Sequence, residues 1–354
     1  MEKVKVSFIV AMYNVAAYIE QCARSLFKQT ERDLEFVFVD DASPDDCVEI
    51  VSRVLEEYPD RKPQVKIVRH TYNKGLPTTR RDGLAEATGE YVIFVDGDDY
   101  SEPKLAELTY AKAVETDADM VLYDYYHYTK DGVKPGITVS PIAFERKLNY
   151  RDATIFRWVM PFVWVRLIRR SLITDNDVLW AVKSHGEDVV LTISLAYFCK
   201  KIEYLQVPLH HYRYNPKSVT YNINKEKLLR LNEDYRDNIL RLDIFLKRKG
   251  CADYYAAGLY TSKLNGKNHL LPLVGEWEYR MMWLREFPEV NKEMFFGGKG
   301  HKSRFRDKLW FVCIATGLYP RMRKTLVKRK YWPGHEFARG AFLFHEAYLD
   351  SLKK

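Results

Sequence analysis

The chain has 354 residues, about the length of two domains, and its 47% apolar and 14% aromatic content excludes wholesale disorder. Its five cysteines are dispersed and form no C-x-x-C pair, so we expect neither a disulfide framework nor a zinc site. The net charge of +8 is concentrated in one segment near the C-terminus.

The sequence predicts a cytoplasmic protein without a membrane span. The opening MEKVKVSFIVAMYN has the pattern of a charged turn followed by a strand, and it lacks the hydrophobic segment and cleavage site of a signal peptide. No apolar run approaches the roughly 18 residues that a membrane-spanning helix needs. The dispersed cysteines agree with a reducing compartment.

Strands and helices alternate along the first third of the chain. Apolar runs bounded by turn residues predict strands at 4–12, 34–40, 65–69, 91–95 and 120–125, with helices at 16–28, 45–58, 77–87 and 103–116. Strands that alternate with helices of this length form parallel βαβ units. The sequence therefore predicts an α/β fold with a mostly parallel sheet flanked by helices.

The rest of the chain has a different pattern. Residues 126–222 predict a helix at 150–158, a strand at 163–168, a helix at 188–199 and a strand at 202–207 that ends at Pro208. From Asn224 the apolar residues recur with helical periodicity up to Gly250, and further helices are predicted at 252–271 and 276–286. We place a domain boundary near residue 222, followed by a helical C-terminal region at 223–354.

A basic and aromatic segment lies at 299–330. It contains eleven lysines and arginines and a single acid, Asp307, so the basicity is local. The segment can be a helical subdomain with solvated charges, a nucleic-acid surface, or an attachment to an anionic membrane, where each basic residue gains roughly 1 kcal/mol. We favour the anionic membrane surface, and we expect no nucleic-acid partner.

Three carboxylates follow the apolar strand at 91–95. Asp96, Asp98 and Asp99 lie where ligands bind in an α/β sheet, beyond the carboxyl ends of the strands. Their mutual repulsion is relieved if a cation lies among them, and oxygen ligands suit Mg²⁺ or Mn²⁺. The alternative for this turn alone is a solvated acidic cap of the following helix.

Other polar residues are predicted at the same edge of the sheet. Tyr13 follows the first strand, and Asp40 and Asp41 end the second, so a ring and a carboxylate could bind a nucleobase there. Arg80, on the helix after Gly75, could neutralise a diphosphate. Taken singly, these residues also fit a rim tyrosine, a turn at a helix entry and a solvated basic face.

Glu187 and Asp188 begin the helix predicted at 188–199. A carboxylate at a helix N-terminus is stabilised as an anion, which fits a capping role. It fits equally a general base, which must be ionised to accept a proton from a hydroxyl.

These pieces together resemble the family 2 glycosyltransferases of the GT-A fold, of the type that makes bacterial surface polysaccharides. The resemblance covers roughly residues 4–222 and rests on five segments in order: SFIVAMYN, FVFVDDASPD, NKGLPTTRRDGLAEATGEYVIFVDGDD, GEDVVLTISL and PLHHYRYNPKSVT. It implies a catalytic domain at 1–222, with a nucleotide-binding half at about 1–125 and an acceptor half at about 126–222.

The resemblance also implies roles for the residues of the donor side. Tyr13 would stack on the nucleobase, and Asp41, with Asp40 beside it, would bond the edge of the base. Arg80 would lie near the diphosphate, and Asp96 near the ribose.

The remaining roles concern the metal and the acceptor. Asp98 would bind Mn²⁺ or Mg²⁺ as part of the D-x-D pair with Asp96. Asp188 would be the catalytic base, and Glu187 would lie beside it near the acceptor.

The sequence departs from the family pattern in places. Ala11 replaces a small hydroxyl residue before Tyr13, and the common Ala-Arg-Asn triplet is Thr79-Arg80-Arg81. The Q-x-x-R-W motif of processive synthases is absent after Asp188, since the pair Arg157-Trp158 precedes that residue and lacks the glutamine. Processive extrusion is therefore not expected.

The expected activity is an inverting, metal-dependent, non-processive transfer from a nucleotide-sugar. A UDP-sugar is the first expectation because uridine is the commonest donor nucleoside among relatives, and guanosine and thymidine stay open. The acceptor would be a hydroxyl of a glycan or a polyprenyl-linked oligosaccharide at the inner face of the cell membrane, where the protein would be peripheral. One rival is a sugar nucleotidyltransferase, although AMYNVAAY replaces the glycine- and lysine-rich loop of that class. The other is an inactive membrane-associated scaffold.

Overall fold

The structure, a computed structural model, describes residues 3–129, 132–216 and 224–322. The chain forms two compact units. The first unit comprises the residues up to Thr154 together with Val159–Asn215, and the second comprises Ile155–Trp158 and the residues from Pro216 onward.

The first unit is built on a mixed, mostly parallel sheet. Its described strands are β1 (Val6–Met12), β2 (Leu34–Asp40), β3 (Val65–Arg69), β4 (Tyr91–Asp96), β5 (Tyr100–Ser101), β6 (Met120–Thr129), β7 (Gly132–Gly136), β8 (Arg166–Arg169) and β9 (Ile202–Tyr212). Its helices are α1 (Ala16–Phe27), α2 (Cys47–Leu55), α3 (Leu76–Glu86), α4 (Leu105–Thr116), α5 (Pro141–Glu145), α6 (Tyr150–Ile155), α7 (Arg170–Thr174) and α8 (Glu187–Phe198).

The strand order is β3-β2-β1-β4-β8-β6-β9-β5, with β7 paired to β6. Strands β3, β2, β1 and β4 are mutually parallel, and β8 runs antiparallel to both β4 and β6. Every residue of β1 and β2 is buried, as expected for strands of a parallel sheet that helices cover on both faces. The predicted α/β class and the alternation along the first third of the chain are confirmed.

Three boundaries predicted in the less regular part are wrong. The strand predicted at 163–168 begins only at Arg166, because Val163–Val165 form a 3-10 turn. Strand β9 does not end at Pro208 but continues to Tyr212. Pro208 pairs with Asp124 where the register of β6 and β9 shifts, and at such an irregularity a residue without an N–H is tolerated in a sheet. The helix predicted at 150–158 ends at Ile155, and Arg157 has a left-handed φ of 68° that no helix accommodates.

The second unit is helical over its described residues. Its helices are α9 (Lys225–Arg248), α10 (Ala256–Asn268), α11 (Trp277–Arg285), α12 (Pro288–Phe296) and α13 (Phe305–Ala315). The side chain of Asn224 caps α9 by accepting the N–H of Lys227 at 2.8 Å, and Gly250 follows the helix with a φ of 70°, so the helix predicted between these residues is confirmed. The helix predicted at 252–271 is shorter at both ends.

Two predictions concern membranes and the C-terminal segment. None of the described helices combines the length and the apolarity that crossing a bilayer would require. The basic segment 299–330 is described only as far as residue 322, and its last eight residues lie outside the described part of the chain.

Candidate functional site

The sheet register brings the predicted residues to one edge. Met12, the last residue of β1, pairs with Asp40 of β2, and Ala11 pairs with Asp96 at the end of β4. Tyr13 follows directly and is 50% exposed, so its ring is available to a ligand. The parallel pairing of three strands therefore places an aromatic ring and the acidic turn side by side.

Asp40 and Asp41 organise the loops at this edge. Asp40 Oδ1 accepts the backbone N–H of Ser43 at 2.8 Å. The buried carboxylate of Asp41 accepts the N–H groups of Lys74 at 2.7 Å and Gly75 at 2.9 Å. Gly75 has a φ of 84°, which disfavours any other residue there, and α3 begins at the next residue. Asp41 thus fixes the entry of the helix that carries Arg80.

Arg80 lies at the centre of the site. Its side chain is only 2% exposed, and its guanidinium contacts three carboxylates from two distant segments. Nη1 donates to Glu187 Oε1 at 2.6 Å and to Asp188 Oδ1 at 2.9 Å, while Nη2 donates to Asp96 Oδ1 at 2.8 Å. The acidic turn after β4 and the start of α8 are therefore joined through one buried cation.

The charges of this cluster perturb one another. Burial disfavours the charged form of Arg80, but the surrounding carboxylates outweigh it and hold the pKa of Arg80 above its ordinary value. Burial raises the pKa of Glu187, and the neighbouring charge of Asp188 adds to the effect. Burial also raises the pKa of Asp188, although Arg80 opposes the shift. Arg80 therefore favours the ionised form of Asp188, the form that can accept a proton.

The second and third acids of the turn have partners on the segment around the end of β9. Asn215 Nδ2 donates to Asp98 Oδ2 at 2.8 Å, and Asp99 Oδ1 accepts the backbone N–H of Arg213 at 2.8 Å. His210 Nε2 lies within hydrogen-bond distance of Asp99 Oδ2, at 3.2 Å, and burial lowers the pKa of His210 to about 4, so the ring is neutral at pH 7.

The acidic turn fits a divalent cation that is shared with a ligand. Burial raises the pKa of Asp98 to about 7, and the charges of Asp99 and Asp96 add to this shift. A nearby cation would offset the repulsion and favour the ionised carboxylate. Within the described residues no three His, Cys, Asp or Glu side chains gather into a complete ligand set. Mg²⁺ and Mn²⁺ sites that rely on one or two carboxylates plus substrate phosphates need no such set.

The segment PLHHYRYNPKSVT carries part of the family resemblance, but the sequence predicts no site role for its residues around the end of β9. For His210 and His211 the sequence leaves open a metal ligand or ordinary residues at a strand end and favours the second, and it predicts no role for Asn215. Arg213 was missed too, although its guanidinium lies 5.2 Å from the ring centres of both Tyr18 and Tyr100. The available signal was the segment HHYRYN, whose polar and aromatic residues directly follow an apolar strand.

A Rossmann-like sheet with an acidic D-x-D turn at its carboxyl edge is the arrangement of the GT-A class. Residues 7–169 match the family model described as Glycosyl transferase family 2. EpsH of Bacillus subtilis, which is named as a glycosyltransferase, is 30% identical over 231 residues, and the match covers 64% of this chain and 65% of EpsH.

Two solved structures are similar in fold. TarS of S. aureus in complex with UDP-GlcNAc gives a TM-score of 0.66 at 19% identity over 93% of each chain. A mannosyltransferase from Pyrobaculum calidifontis in complex with GDP-Man and Mn²⁺ gives 0.54 at 18% identity, covering 98% of this chain and 88% of that one.

Residues 7–169 form a domain of glycosyltransferase family 2, and the fold is GT-A, which confirms the resemblance stated from the motifs. It spans slightly less than two thirds of the length of EpsH, at 65%.

Proposed function

We propose that the protein is an inverting, metal-dependent, non-processive glycosyltransferase of cell-surface polysaccharide synthesis. It moves a sugar from a nucleotide-sugar to a hydroxyl of a glycan or a lipid-linked oligosaccharide. The observation that carries the proposal is the bridge through Arg80, because it joins Asp96 of the D-x-D turn to Asp188 in one buried cluster. A single displacement needs the donor and the general base on either side of one anomeric carbon, so the residues proposed to bind them must lie near each other.

The donor would bind along the carboxyl edge of β1, β2 and β4. The exposed ring of Tyr13 would stack on the nucleobase, and Asp41, with Asp40 beside it, would accept its N–H. Asp96 would bond the ribose. TarS, whose fold is similar, was solved with UDP-GlcNAc, which supports a UDP-sugar as the first donor to test.

Asp98 would hold Mn²⁺ or Mg²⁺ together with the diphosphate of the donor. Bound there, the ion supplies positive charge to the leaving nucleoside diphosphate. Asn215 orients the Asp98 carboxylate through the hydrogen bond at 2.8 Å. The fold neighbour solved with Mn²⁺ agrees with this choice of ion.

Asp188 would be the general base. Its carboxylate accepts the acceptor hydroxyl proton while the oxygen attacks the anomeric carbon from the face opposite the leaving group. The bond to the diphosphate breaks in the same step, so the configuration at that carbon inverts. Arg80 favours the ionised form of Asp188 against the effect of burial, and Glu187, which accepts the backbone N–H of Asp188, would lie near the acceptor.

The proposed location follows from the acceptor. A lipid-linked oligosaccharide presents its hydroxyl at a membrane, so the protein would work as a peripheral protein at the inner face of the cell membrane. The basic segment 299–330 would supply the attraction to anionic lipids.

The first test is a thermal-shift panel of nucleotide-sugars with and without Mn²⁺. A ligand that binds only the native state raises the melting temperature according to its affinity, so we expect one donor to stand out, and only with Mn²⁺ present. Slow hydrolysis of that donor would separate an enzyme from an inactive scaffold. Release of pyrophosphate from a sugar phosphate and a nucleoside triphosphate would instead favour the nucleotidyltransferase.

A further inference from the structure

Two phenylalanines flank one loop of the second unit and lie almost wholly in solvent. Phe296 ends α12 and Phe305 begins α13, and they are 80% and 79% exposed. No other large apolar side chain of the described residues is as exposed. Exposing two aromatic rings on one loop to water is unfavourable in free energy, which indicates that this surface is covered when the protein is active.

The loop that carries these rings, residues 296–305, is internally braced. Ser303 Oγ donates to the backbone carbonyl groups of Met294 at 2.7 Å and Phe295 at 3.0 Å. The N–H of Gly300 donates to Glu293 Oε2 at 2.9 Å. Because these bonds tie the loop to the end of α12, the rings are presented by a defined scaffold.

The charged side chains that the loop itself carries are all positive. Lys302, Arg304 and Lys308 are exposed, whereas the single acid of the basic segment, Asp307, is fully buried and accepts the N–H of Arg304 at 2.8 Å. Lys299 pairs with Asp253 at 2.6 Å and contributes little net charge. The outward surface of the loop therefore combines aromatic rings with unbalanced cations.

We propose that the 296–305 loop docks on an anionic lipid surface, with Phe296 and Phe305 inserted at the level of the headgroups. Aromatic rings lie favourably at that interface, and each nearby lysine or arginine gains attraction to anionic headgroups. The inference deepens the proposed function, because an enzyme that acts on a lipid-linked acceptor needs its own contact with the membrane. It assigns this contact to a short described loop.

The test is flotation of the full chain with phosphatidylglycerol-containing vesicles and with pure phosphatidylcholine vesicles. We expect binding to the anionic vesicles that weakens with salt. Replacing both rings should lower the partition coefficient by at least about tenfold, and removing two charges should lower it about thirtyfold. The control removes exposed apolar groups elsewhere on the same unit and should change nothing. The variants are F296S/F305S, K302Q/K308Q and the control L240S/I244S.

Equal flotation of the ring variant and the parent chain would overturn the inference. So would a ring variant that keeps its vesicle binding but loses self-association in light scattering, because the occupant would then be a second copy of the chain. The donor panel is run on the same variants. A chain that floats with the vesicles but binds no donor contradicts the proposed function and leaves the docking surface supported. A chain that binds a donor but does not float contradicts the docking surface and leaves the proposed function supported.

Discussion

Arg80 Nη1 lies 2.9 Å from Asp188 Oδ1, although the two residues are 108 positions apart in the chain. The contact depends on two backbone features. Asp41 fixes the start of α3 and hence the position of Arg80 on that helix. Gly186, with a φ of 79°, precedes α8 and sets the position of Asp188. The cation thus links the donor edge of the sheet to the proposed base, and its loss should affect stability as well as chemistry.

Arg80→Met should destabilise the protein strongly. The substitution leaves three carboxylates without their buried cation, and breaking a buried ion pair in this way costs about 3–5 kcal/mol. Guanidinium denaturation at pH 7 measures the change in the free energy of unfolding. The control is Arg81→Met on the same helix, whose side chain is 58% exposed and should shift the value by less than about 0.5 kcal/mol. Similar losses for the two variants would contradict the central place of Arg80.

Asp188→Asn should lower turnover by about two to four powers of ten while leaving donor affinity nearly unchanged. The amide keeps the shape of the side chain and its acceptor oxygen for Arg80, but it cannot take a proton. Steady-state kinetics and calorimetry with the donor measure the two quantities separately. Glu187→Gln is the matched comparison because Glu187 bonds the same guanidinium. If turnover is unchanged in D188N, the general base is another residue.

Asp98→Ala should abolish the part of donor binding that depends on Mn²⁺. The reason is that the Asp98 carboxylate would hold the ion against the diphosphate. Without this carboxylate, Mn²⁺ should no longer add to the affinity for the donor. A graded variant is Asn215→Ala, which removes the hydrogen bond to Asp98 together with the one that Asn215 Oδ1 accepts from Tyr18, and it should weaken metal-dependent affinity about 10–100-fold. Calorimetry that gives equal nucleotide affinity for D98A and the parent chain in Mn²⁺ would remove Asp98 from the metal site.

The sequence predicts the sheet edge better than it predicts the partners of that edge. Asp96 and Tyr13 are found because each follows an apolar strand, and the ends of parallel strands necessarily meet. The bonds of Asp99 to His210 and of Asp98 to Asn215 join residues more than 100 positions apart, and no local pattern encodes such a pairing. The strand end predicted at Pro208 is wrong for a related reason. Whether a proline ends a strand or lies at a bulge depends on the neighbouring strand, which the local sequence does not show.

The second unit contains a buried lysine that should make its stability depend on pH. Lys267 is fully buried, its Nζ donates to the backbone carbonyl of Glu286, and it lies 4.2 Å from the ring centre of Trp283. Burial lowers its pKa from 10.5 to about 7. Between these two values the unfolded chain binds a proton that the native state does not, so this lysine makes stability rise with pH from about 7 toward 10.

Lys267→Met should therefore flatten the pH dependence and raise stability near pH 7. The expected slope for the parent chain is about 1.4 kcal/mol per pH unit from this residue, read from guanidinium denaturation at pH 7, 8 and 9. Lys263 on the same helix is the control. Burial opposes its charge, but Asp243 and Glu289 raise its pKa, so Lys263 keeps its proton in both the folded and the unfolded chain over this pH range. Lys263→Met should lower stability by a similar amount at all three pH values. A slope that survives in K267M would mean that Lys267 keeps its proton in the folded protein.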